Sequence, residues 1–173
     1  MAPSPEQLFL EFSARKLEQL AGRIEDCLGR LNDEQVWARG GDNENAVGNL
    51  VLHLCGNLRQ WIGSGVAGKP DIRVRDREFS ARGDIQPEEL RRRLSGAVGE
   101  AVATLRELAP ARLTDRIRVQ NYELTVLEAI YHAVEHFAQH TGQILFATKQ
   151  MTGQDLGYYK HLDRPAAHGQ KTP

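Results

Sequence analysis

The sequence predicts an all-α protein, a four-helix bundle with a long crossover between its second and third helices. Three observations carry this. Four stretches of the 173 residues repeat apolar side chains at spacings of three and four. Three of the four open on helix-start signals. A long polar connection separates the second stretch from the third, and in a bundle such a connection permits a crossover.

The first helix starts at Ser4-Pro5-Glu6-Gln7. Ser4 suits the N-cap, Pro5 the first helical position, and Gln7 can close a capping box. Leu10, Leu17, Leu20, Ile24, Cys27 and Leu31 then form an apolar stripe, with Arg15, Lys16, Glu18, Arg23 and Asp26 mostly on the wet face. Residues 32–37 add a short helical turn, and Gly40 to Glu44 has loop composition. The second helix is expected from near Asn45 to about Gly63. Ala46, Leu50, His53, Asn57 and Trp61 share one face, flanked by Val47, Val51, Leu54 and Leu58. Residues 64–85 form the polar connection, with Phe79 as a candidate anchor. The third helix opens at Pro87-Glu88-Glu89, buries Leu90, Leu94, Ala97, Val98, Ala101, Leu105 and Leu108, and stops at Pro110. Arg116–Gln120 and Tyr122–Leu124 alternate apolar and polar residues, as a small hairpin does. Thr125-Val126-Leu127-Glu128 is a capping box for the fourth helix, expected over 126–151 with Gly153 as its C-cap. Its inner face is expected to carry Ala129, Ala133, His136, His140, Gln143 and Ala147. One domain over residues 1–160 and a flexible tail over 161–173 complete the expected organisation, with Tyr158 and Tyr159 placed to pack back.

Composition excludes several functions. Lys plus Arg is 22 and Asp plus Glu is 23, so bulk charge favours neither nucleic acid nor a membrane surface. No apolar run is long enough to span a bilayer, and the N-terminus lacks the order of a signal peptide. A cytoplasmic protein is expected, in which Cys27 and Cys55, too far apart for a CxxC pair, serve as small core residues.

The chemistry concentrates in histidines. His132, His136 and His140 recur every four residues on the fourth helix. An i,i+4 pair lies on one face and can share a metal ion, so His136 and His140 pair, while His132 drifts too far round to join His140. His53 lies within the apolar stripe of the second helix and is the candidate third ligand. Taken alone, it reads first as a core histidine bonded to a carbonyl or side chain, since an isolated histidine says little about metal. Three histidines with one open position match catalytic zinc geometry. No HExxH motif is present, which removes the zinc-protease reading.

The stretch Asn45–Ile62, NAVGNLVLHLCGNLRQWI, resembles the second helix of DinB/YfiT-like proteins. Glu135–Ile144, EHFAQHTGQI, resembles their fourth-helix signature, and Arg75-Asp76-Arg77-Glu78-Phe79 is similar to an uncharacterised subgroup. The resemblance implies a divalent ion, zinc or nickel above all, held by His53, His136 and His140. It also implies homodimers and, in some members, transfer reactions of low-molecular-weight thiols. On that basis the chain is expected to bind metal, with a thiol (S-)transferase as one reading. A non-catalytic metal-binding stress or interaction protein, and a metal-dependent hydrolase of small esters or amides, are the alternatives. Glu78 and Glu135 are candidate general bases or partners of an imidazole, Glu78 also a candidate for the fourth metal position. Arg73, Arg75 and Arg77 are candidate carboxylate holders for a thiol cofactor or substrate.

Overall fold

The computed structural model describes residues 2–160, and the tail expected at 161–173 lies outside the described residues. The chain runs α1 (Pro5–Arg30), α2 (Asp33–Trp37), α3 (Val47–Leu58), α4 (Arg75–Ser80), α5 (Pro87–Glu107), a 3₁₀ turn (Pro110–Thr114), β1 (Arg116–Val119), β2 (Tyr122–Thr125) and α6 (Val126–Thr152). The four long helices make the bundle. α1 packs between α5 and α6, and α3 packs between the same two on the other side.

Local chemistry fixes the helix starts. Ser4 Oγ accepts from Gln7 N–H at 3.3 Å, and Gln7 Oε1 accepts from Ser4 N–H at 2.8 Å, the reciprocal capping box. Thr125 and Glu128 repeat the arrangement at α6. That helix ends where Gly153 turns to φ 66°, a conformation that glycine adopts without a Cβ penalty. The core is aliphatic: Leu17 and Ile24 from α1, Leu54 and Leu58 from α3, Leu90, Leu94 and Leu105 from α5, and Ile130, Phe137 and Ile144 from α6 are fully buried. Cys27 and Cys55 are buried free thiols, as expected of core residues. Tyr158 packs back onto α1, where its hydroxyl donates to Asp26 Oδ2 at 2.7 Å.

Three features differ from the sequence expectation. The second helix does not stop near Gly63; it passes into a π-helical segment, Arg59–Val66. The polar connection contains α4, pinned by a buried asparagine. Asn49 Nδ2 donates to the carbonyls of Glu78 at 2.8 Å and Ala81 at 3.2 Å, while its Oδ1 accepts from Arg39 and from Ala46 N–H. On α6 the buried stripe runs through Ala129, Ile130, Ala133, Phe137, Thr141 and Ile144, so His136 and His140 border it and Gln143 is exposed. The helical period allows either face, and packing against α1 and α3 selects the more apolar one.

The hairpin is the only β structure among the described residues. β1 and β2 pair antiparallel, Arg116 opposite Thr125 and Val119 opposite Tyr122. Gln120, at φ 55°, makes the turn, and its Nε2 donates to Gln60 Oε1 at 2.7 Å. Gly65 lets the hairpin lie against the π segment: a Cβ there would stand 2.5 Å from Val119 Cγ2. No helix among the described residues is long and apolar enough to cross a membrane.

Candidate metal centre

His53 sits on α3, one turn beyond Asn49, and is buried at 5% exposure. The rotation of α6 leaves His136 and His140 half-buried and facing α3. One nitrogen from each of the three imidazoles falls within 4.8 Å of the other two, so the group can hold a metal ion. His53 Nε2 lies 2.9 Å from His136 Nε2.

The far side of His53 is occupied. Its Nδ1 lies 2.9 Å from Glu78 Oε2 and 3.0 Å from an Arg73 terminal nitrogen; the ionised carboxylate can only accept, so Nδ1 carries the proton and donates it to Glu78. That tautomer leaves Nε2 with a free lone pair toward the other histidines. Arg73 fixes the carboxylate in turn, donating from Nε to Glu78 Oε1 at 2.7 Å and from a terminal nitrogen to Oε2 at 2.7 Å. Burial alone would raise the Glu78 carboxyl, but the hydrogen bonds from Arg73 and His53 outweigh it and hold the pKa below the ordinary range. Close approach requires Gly56, since a Cβ there would fall 2.0 Å from Glu78 Oε1.

The same arrangement recurs on α6. His140 Nδ1 lies 2.7 Å from Gln143 Oε1 and donates to it, which frees its Nε2. His136 stacks on His132, with centroids 5.6 Å apart and planes 20° apart. Burial, followed by the neighbouring His140, His53, His132 and Arg73, pushes the His136 pKa down to about 4. His140 is lowered chiefly by burial, against the opposing hydrogen bond to Gln143. Low pKa values keep these rings neutral at pH 7, the form that binds metal. Three imidazole nitrogens within 4.8 Å of one another are a donor set that fits a borderline divalent ion such as zinc or nickel.

The chain matches the model of a protein family over residues 5–163. It belongs to the DUF1572 family, described as proteins of unknown function. The comparison with curated proteins gave no match. Among solved structures, this DUF1572 chain is similar to a conserved protein from Enterococcus faecalis, with a TM-score of 0.72 at 16% identity, covering 88% of this chain and 100% of that one. A DinB-like protein from Bacillus subtilis matches with a TM-score of 0.66 at 14% identity, covering 85% of this chain and 96% of that one. The fold is thus the DinB-like helical bundle.

The other expected site residues separate. Arg75 lines a cleft in front of the imidazoles, together with His53, Asn57, Trp61, Tyr122 and His136. Arg77 lines a different cavity, between α3, α4 and α5. Glu135 accepts from Gln139 one turn along α6 and is absent from the cleft lining. His132 lies outside the three-residue group, with its ring 4.0 Å from that of Trp61. Phe79 reaches the site, with its ring 4.9 Å from His53 and beneath the Arg75 guanidinium at 4.7 Å. Gln143 was expected only as an inward residue, although its i,i+3 spacing from His140 already placed the two side chains together.

Proposed function

We propose that this DUF1572 protein binds one divalent ion through His53, His136 and His140 and uses it in a transfer reaction of a small thiol. The observation that carries the reading is the position of Glu78. Its carboxylate stands on the Nδ1 side of His53, tied to Arg73, and so orients a ligand instead of completing the donor set. A donor set of three imidazoles beside a cleft favours an open, reactive centre over a closed structural one.

An ion held by His53, His136 and His140 would supply Lewis-acid character and would lower the pKa of a thiol bound beside it. The chain's own residues do the rest. Glu78 and Gln143 hold two of the imidazoles in the tautomer that points Nε2 inward. Trp61, His132 and Tyr122 wall the cleft. Arg75, free of ion pairs among the described residues, is placed to hold a carboxylate of the thiol. Arg77 and Glu135 have no part in this reading.

Cobalt-substituted protein titrated with glutathione tests it. A sulfur-to-cobalt charge-transfer band that saturates with thiol is expected. A cobalt spectrum indifferent to thiol would overturn the thiol reaction.

A further inference from the structure

Asn57 follows His53 by one turn on α3, is 4% exposed, and lines the cleft. Its carboxamide has no hydrogen-bond partner among the described residues. Asn49, the same residue type on the same helix, uses both ends of its amide: Nδ2 donates to the Glu78 and Ala81 carbonyls, and Oδ1 accepts from Ala46 N–H and Arg39. The Asn57 amide is not sealed in the core but open to the cleft, which leaves it available to recognise what enters.

The surroundings define what would enter. Two residues after Asn57, at Arg59, the helix turns π-helical, a distortion that recurs at functional sites. It carries Trp61, 4% exposed, whose ring lies 4.0 Å from His132 at a tilt of 43° and 6.2 Å from Tyr122 at a tilt of 35°, an aromatic corner of the cleft. Arg73 also lines the cleft, but its guanidinium is committed to Glu78 and Gln60. Arg75 is the cation there without an ion pair among the described residues, and Glu123 and Glu128 line the hairpin side. Glu128 is committed to the Thr125 cap. Charges of both signs leave the carboxamide as the selective group, and it is complementary to an acyl oxygen.

We propose that Asn57 is a ligand-binding residue that takes the acyl oxygen of a small planar carboxamide or carboxylic acid. The body of that molecule rests in the aromatic corner of Trp61, His132 and Tyr122. Its position next to a bound ion rests on the reading given under Proposed function; the subsite itself stands on α3, the π segment and the hairpin.

The test uses full-length ¹⁵N-labelled protein stripped of metal and titrated with benzamide or benzoate. The Asn57 side-chain amide and the Trp61 indole N–H are followed by NMR, alongside Asn57→Leu and Asn57→Ser. At least one probe should move both wild-type signals saturably. Both variants, read at Trp61, should bind it about tenfold more weakly or worse. Tighter benzamide assigns neutral amides to the subsite, and tighter benzoate assigns acids. Wild-type signals that stay still up to the solubility of both probes would overturn the proposal, as would variants that bind as well as wild type. The titration needs no metal, so a chain that binds the probe but loads no ion would sink the metal reading alone, and the converse would sink only the subsite.

Discussion

Glu78 shows how much a single residue can depend on its neighbours. Its carboxylate accepts the hydrogen bond from His53 because Arg73 stands behind it and Gly56 leaves room. Gly56→Ala places a Cβ where Oε1 now sits, so the carboxylate must move off His53. The expected result is a folded protein with metal affinity about 10–100-fold lower, measured by competition with a chelator. Glu78→Gln is harsher, because it leaves the Arg73 guanidinium, 5% exposed at its side chain, without its counter-charge. A loss of about 3–5 kcal/mol in urea unfolding is expected, and a loss below ~1 kcal/mol would show that the pair is not buried in solution. The cysteines belong at this scale too. Burial pushes the Cys55 thiol up to about 12, and Cys27 is also raised by burial. Neither should react with iodoacetamide at pH 8 until the chain is unfolded, so labelling of native protein would contradict their placement.

At the scale of elements, α4 is held chiefly by Asn49. Asn49→Ala strips the Glu78 carbonyl of its side-chain donor and the Ala81 carbonyl of one of its three. Destabilisation of about 1–3 kcal/mol is expected, with faster amide exchange confined first to residues 75–80. The long helices were legible because Ser4–Gln7, Pro87 and Thr125–Glu128 announce their starts and leucines mark their buried faces. α4 was not, because its six residues span less than two turns and give no periodicity, and a distant asparagine holds it. The π segment left no sequence signal either, since it arises where Gln60, Gly65 and the hairpin meet. His53, His136 and His140 were readable from spacing and resemblance, whereas the unpaired state of Asn57 and the far-side position of Glu78 depend on contacts between separate elements.

For the whole molecule, the three imidazoles come from α3 and α6, which pack together, and the partner of His53 comes from α4. An ion there would tie the second and fourth bundle helices and the connection into one unit. Binding only the folded state, it should stabilise by about 2.7 kcal/mol at a free concentration of 100 times Kd, and a chelator should reverse the rise in Tm. An unchanged Tm across zinc and nickel titrations would count against a centre that bridges helices. The central claim is the ion itself. Its most direct measurement is metal content by mass spectrometry on tag-free protein, beside a His136→Ala/His140→Ala variant. About one ion per chain, lost in the variant, is predicted. Protein that carries no ion and takes none from a divalent panel, or a variant that retains it, would contradict the account.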